Sequence, residues 1–202
     1  MYPIGDLKLS YTIFTQEGYR KYLTSQEMES FIGASSAFSN DIRAFCLMIA
    51  YTGCRISEAL SLTHDSIDLA YNHVIIRSLK KRGKCLHRII PLPRHYIVFL
   101  KLWLGSSCKN HGLLWPWSRM TGYRHIREVM RAANIDGRHA SPKGLRHGFG
   151  VRAIESSVPL NLVQRWLGHA HIKTTAIYTN VLGAEERKIA SRMWKDVKLD
   201  CA

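Results

Sequence analysis

His73-Val74-Ile75-Ile76 and His87-Arg88-Ile89-Ile90, with Lys80-Lys81-Arg82-Gly83-Lys84 between them, decide the fold class. The two outer runs are rich in β-branched residues and predict strands. The basic stretch with its glycine reads as a turn. Residues 65–92 are therefore expected to form a small antiparallel sheet with a cationic hairpin tip. The segments on both sides have helical spacing instead. Upstream, Thr24-Ser25-Gln26-Glu27 is a capping box, which predicts a helix to about Ile32. Residues 33–40 are small and Ser-rich and read as a loop. Ile42, Phe45, Cys46, Ile49 and Ala50 then fall on one helical face, which predicts a helix with one buried side. Thr52-Gly53 breaks it, and a second helix covers 55–62. Downstream, helices are expected over 93–103 and 121–133, and from Ser141-Pro142, with Pro in the first turn, to about Glu155. Helices over 159–167, 172–178 and 184–197 complete a mainly α chain with one small sheet. Residues 1–23 carry no strong period and read as an N-terminal arm, with 24–202 as the folded domain.

The 202 residues carry 29 Lys and Arg against 15 Asp and Glu, a net charge of +14 and a pI near 9.8. That charge concentrates polyanions around the chain, so DNA, RNA and anionic membranes are the candidate partners. The basic residues are spread among aromatics and structured segments, which fits a folded nucleic-acid surface better than a basic tail. Ribosomal and other surface-basic proteins share this composition, so charge narrows the partner class and nothing more. The five cysteines are odd in number and contain no C-x-x-C pair, which predicts a reduced, cytoplasmic protein. Their spacing to the histidines fits no zinc finger, and neither metal nor cofactor is expected. No signal peptide or run long enough to span a bilayer is seen, so no membrane partner is expected.

Three clusters carry candidate chemistry. Thr52-Gly53-Cys54-Arg55-Ile56-Ser57-Glu58 puts an arginine at a sharp break ahead of a helix N-terminus, a setting that favours anions. Glu58, one turn on, can orient the guanidinium, although an ordinary surface ion pair has the same spacing. Lys143-Gly144-Leu145-Arg146-His147-Gly148 crowds cationic side chains into a helix start, where they are unfavourable unless an anion sits among them. Leu167-Gly168-His169 is followed nine residues later by Tyr178. Alone, that pair is equally an ordinary packed His and Tyr.

Together the clusters resemble the tyrosine recombinase (phage integrase) family. The first looks like its G-x-R-x-S-E arginine box, the second like its H-x-L-R-H box, and the third like L-G-H before the nucleophilic tyrosine. The resemblance runs from about Thr24 to the C-terminus and implies that 24–202 is a recombinase catalytic domain. It implies that Arg55 and Arg146 grip the scissile phosphate and that Tyr178 attacks phosphorus to give a 3′-phosphotyrosyl link. His169 would donate a hydrogen bond to the phosphate, with His147 and Glu58 supporting. A hairpin lysine would protonate the leaving 5′-oxygen. Lys81 fits the family's K-x-G turn, with Lys80 and Lys84 as rivals. Lys143 stands where the family usually has His and is expected to bind phosphate as a cation. Only about 23 residues precede the catalytic-type region, which resembles the short fimbrial phase-switch recombinases. The expected partners are double-stranded DNA and further copies of the chain, a dimer on each site and a tetramer in synapsis. Residues 183–202 either dock on a neighbouring protomer or form an amphipathic helix on their own domain. The expected location is the cytoplasm, at the nucleoid. Two other readings share the residues: a non-catalytic DNA-binding relative, and a type IB topoisomerase.

Overall fold

A computed structural model of the chain describes residues 12–78, 86–106, 112–180 and 190–191. Helix α1 (Ser25–Ala34) starts at the capping box: Thr24 Oγ1 accepts from Glu27 N at 3.2 Å, and Glu27 Oε2 accepts from Thr24 N at 2.9 Å. The loop expected after it contains a 3-10 turn, Ser35–Ala37. Helix α2 (Asn40–Thr52) was expected to bury one face. Instead Ala44 through Ala50 are all buried, because α2 is the central helix and α1, α3, α4, α5 and α6 all pack against it. It ends at Gly53, in the left-handed conformation at φ 60°. A Cβ there would also lie 2.6 Å from the Phe149 ring, so the break is fixed twice over. Helix α3 (Ile56–Leu60) is shorter than the sequence suggested, and Arg55 is its N-cap rather than its first residue.

The sheet is antiparallel, in the order β1 (Ile67–Asp68), β2 (His73–Arg77), β3 (His87–Pro91). The two-residue β1 was not foreseen. Ile76 pairs with Arg88 and Val74 with Ile90, and all four of these side chains face inward. The hairpin tip expected at 80–84, with Lys81, lies outside the described residues.

Helices α4 (Arg94–Ser106) and α5 (Arg119–Ala132) close the larger core around Phe31, Phe45, Tyr96 and Trp115. Helix α6 (Pro142–Glu155) is capped by Ser141, whose Oγ accepts from Gly144 N at 3.1 Å. Helix α7 (Leu160–Leu167) ends at Gly168, again left-handed at φ 66°. The single helix expected over 172–178 divides into α8 (Ile172–Ala176) and a 3-10 turn, Ile177–Asn180. Of the helix expected over 184–197, only 190–191 are described. Residues 12–23, read as an arm, contain no helix, yet Ile13, Tyr22 and Leu23 are buried. Ile13 and Tyr22 join Val151, Val163, Leu167 and Tyr178 in a second, smaller core. Among the described residues no helix is long and apolar enough to cross a membrane.

Candidate active site

The seam between the two cores gathers the charged side chains. Arg55 sits in extended backbone between the Gly53 break and α3. Glu58, at the third position of α3, reaches back so that Oε2 accepts from Arg55 N at 2.9 Å and Oε1 from Arg55 Nη1 at 2.8 Å. The Glu58 side chain is fully buried, so this is no ordinary surface pair, whereas Arg55 remains 24% exposed and can meet a ligand from solution. A second arginine completes the carboxylate: Arg88 Nη2 donates to Glu58 Oε2 at 2.6 Å. Burial alone would raise the Glu58 pKa, but Arg88 and then Arg55 hold it below the ordinary carboxylate value. The other Arg88 donors reach Trp166 O at 2.7 Å and Ser78 Oγ at 3.2 Å. Arg88 thus ties strand β3 to α3 and to the end of α7.

Arg146 comes from the buried face of α6. Its Nη1 donates to Gly53 O at 2.8 Å and its Nη2 to Leu167 O at 2.6 Å. Both acceptors lie at helix C-termini, where unsatisfied carbonyls carry partial negative charge. Burial, and next Arg55, push the Arg146 pKa down to about 10. The left-handed turn at Gly168 lets His169 N bond back to Gln164 O at 3.1 Å, which fixes the histidine at the end of α7. His169 Nδ1 lies 2.9 Å from Thr175 Oγ1, leaving Nε2 as the nitrogen a ligand can use.

Tyr178 is fully buried. Its ring lies on the bare backbone of Gly150, where a Cβ would fall 2.6–2.7 Å from three ring carbons. The ring runs nearly parallel to that of His169, with centroids 6.3 Å apart and planes at 14°. The hydroxyl lies 3.1 Å from His147 Nδ1. Burial pushes the phenol up to about 12, although Arg146 and Arg55 both pull it down. Burial pushes His147 down to about 4, helped by Lys143, Arg146 and Lys21. Burial likewise pushes His169 down to about 3, helped by Arg146, Arg55, His147 and Arg88. Arg55, Arg146, His147, His169 and Tyr178 are thus linked through the charges that act on one another.

The expected residues therefore divide. Arg55, Glu58, Arg146, His147, His169 and Tyr178 come together. Lys143 is exposed in the first turn of α6 and reaches the cluster through its charge on His147. Lys81 and its rivals lie outside the described residues. The sequence reading missed Arg88, Thr175 and Gly150. The first was detectable, because the pattern of β3 puts residue 88 on the same face as Ile90; Thr175 and Gly150 left no comparable signal. Among the described residues no group of three His, Cys, Asp or Glu side chains has a metal-holding arrangement.

Comparisons with known proteins show the family and the fold. The profile described as the phage integrase family matches residues 21–185. The tyrosine recombinase XerD of Halalkalibacterium halodurans is 30% identical over 186 residues, taking in 84% of this chain and 60% of that protein. The chain thus spans about 60% of the length of that curated relative. The crystal structure of XerA recombinase superposes with a TM-score of 0.75 at 25% identity, over 88% of this chain and 66% of that one. The XerH site-specific recombinase, bound to a palindromic difH substrate in a post-cleavage complex, shares the fold with a TM-score of 0.72 at 23% identity. That superposition covers 87% of this chain and 54% of the XerH chain.

Proposed function

This chain belongs to the phage integrase family, and on that premise we propose that it is a site-specific DNA recombinase that cleaves and rejoins strands through a 3′-phosphotyrosyl link on Tyr178. The observation that carries the reading is charge. Three guanidinium groups, Arg55, Arg88 and Arg146, converge on a region whose only bonded carboxylate among the described residues is Glu58. A buried excess of positive charge is costly, and a phosphodiester anion supplies what is lacking. Arg55 and Arg146 stabilise the charge that grows on the non-bridging oxygens, and His169 Nε2 donates a further hydrogen bond. Tyr178 Oη bonds to phosphorus as the P–O5′ bond breaks, and the leaving 5′-oxygen takes a proton from a lysine of the 80–84 stretch, Lys81 by its K-x-G sequence. Lys143 binds phosphate as a surface cation. The link keeps the phosphodiester energy, so rejoining needs no ATP.

The substrate in this reading is double-stranded DNA at the nucleoid, cut within a dimer on each site and exchanged within a tetramer. A non-catalytic DNA-binding role is the second reading, and the complete burial of Tyr178 is the observation in its favour. Suicide duplexes covering candidate sites separate the two. The recombinase reading expects a protease-sensitive covalent adduct in a denaturing gel, lost in Tyr178→Phe. Specific binding of the same duplex with no adduct would replace it with the second reading. An adduct accompanied by relaxation of supercoils by a monomer, without synapsis, would point to a topoisomerase.

A further inference from the structure

Attack by Tyr178 on phosphorus requires that its phenol lose a proton, and the position of the hydroxyl limits what can take it. The ring of Tyr178 lies across one turn of α6: Gly150 is the floor beneath the ring, and His147, three residues earlier on the same face, meets the oxygen at 3.1 Å. The other candidates are engaged elsewhere or exposed. The His169 ring runs nearly parallel to that of Tyr178, and its Nδ1 is held by Thr175. Glu58 has both carboxylate oxygens bonded to Arg55 and Arg88. Lys143 is exposed.

We propose that His147 is the proton acceptor for Tyr178: Nδ1 takes the phenol proton as Oη bonds to phosphorus, and returns it when the 5′-hydroxyl reattacks and the P–Oη bond breaks. The inference rests on the recombinase reading above. In this arrangement Nε2 carries the imidazole hydrogen and Tyr178 Oη donates to Nδ1. The setting keeps the ring neutral and able to accept, because burial and the charges of Lys143, Arg146 and Lys21 oppose a second proton. Those same cations make the imidazolium unfavourable until a phosphodiester arrives between Arg55 and Arg146. Its negative charge then offsets them, so proton transfer is favoured when substrate is in place. His147 is catalytic in this scheme because it touches the reacting oxygen.

The test is single-turnover cleavage of a suicide duplex by the full chain. Wild-type protein must first give the Tyr178 adduct; its absence would remove the recombinase reading and this inference with it. His147→Ala and His147→Asn are then expected to bind the duplex normally and to cleave about 10²–10⁴-fold more slowly, the range of general acid–base catalysis. Asn keeps a polar group near the Nδ1 position without its basicity, and guards against a loss caused by misfolding alone. Added imidazole should restore His147→Ala at least about tenfold, on that same scale, and should leave Tyr178→Phe inactive. Replacing Tyr178 with the more acidic 3,5-difluorotyrosine should narrow the gap between wild type and His147→Ala. Cleavage at or above the wild-type rate in His147→Ala would make the contact a latch and overturn the proposal. A loss that neither imidazole nor the fluorinated phenol relieves would overturn it as well, leaving His147 a packing residue.

Discussion

Gly150→Ala perturbs the seat of Tyr178 with a single methyl group. The added Cβ would lie 2.6 Å from Cζ and 2.7 Å from each Cε of the ring, where ordinary contact begins at 3.4 Å. The ring must therefore retreat by about 0.8 Å or tilt by an equivalent amount, given normal carbon contact distances. It has little room, because the His169 ring runs nearly parallel to it and Ile13, Val151 and Val163 pack in the same core. Overpacking of this kind costs about 1–3 kcal/mol. Alanine in a helix interior returns about 1 kcal/mol relative to glycine. The net loss is about 1 kcal/mol, or a fall in Tm of about 2–4 °C for a domain of this size. Activity should suffer far more, since a displacement near 1 Å at a reacting atom can cost about 10²-fold in rate. The paired assay is thermal unfolding by circular dichroism and single-turnover formation of the covalent adduct. A variant that melts higher than wild type and cleaves at the same rate would refute the reasoning, because the ring could not then be lying on Gly150. Faster cleavage would refute it differently, by making this seat a resting position that the nucleophile must leave.

Glu58→Gln should be among the most destabilising polar substitutions in the chain, by about 3–5 kcal/mol in denaturant titration, since it strands two buried or half-buried guanidinium groups. Adding Arg88→Met should recover part of that loss; a strictly additive double variant would mean that the pair does not interact. The pH dependence of stability has a defined sign. His147 and His169 have pKa values of about 4 and about 3 in the folded chain, against 6.5 as the ordinary value. The unfolded chain therefore takes up protons that the folded chain refuses, and stability present above pH 6.5 is lost progressively as pH falls toward 4. His147 alone should cost about 2 kcal/mol between pH 8 and pH 5. Glu27 and Glu58, whose pKa values are lowered, lose their contribution only below 4.5, so the window from 7 to 5 isolates the histidines. A flat stability profile in that window would show that the two rings are not buried neutral.

The legible parts of this fold are those written in local chemistry. The Thr24 and Ser141 caps, the Gly53 break and the β-prone runs around 73–90 each state their structure in a few neighbouring residues. What could not be read depends on partners distant in sequence. The complete burial of α2 follows from five helices converging on it, which no periodicity within 40–52 records. Residues 12–23 lack a pattern because they form no regular element; their buried side chains are held by α6 and α7. The motif residues Arg55, Arg146, His169 and Tyr178 were visible as clusters, but their mutual geometry was not. Arg88 belongs between these cases. Its strand alternation with Ile90 marks it as an inward-pointing charge, and a buried charge needs a partner. That partner, Glu58, is 30 residues away.

The perturbed groups of the site have a common origin. Arg146, His147 and His169 all have lowered proton affinity, and in each burial is the first cause and a neighbouring cation the next. These are three expressions of one imbalance: the seam holds more positive charge than Glu58 can compensate. Much of this positive charge also builds the scaffold. Arg146 joins the C-termini of α2 and α7, and Arg88 joins β3, α3 and α7. An anion placed among these groups would raise all three proton affinities together. By linkage, binding of that anion would add stability to the same helix ends. On the proposed reading, a site assembled in this way would recognise negative charge through the free energy of its own architecture.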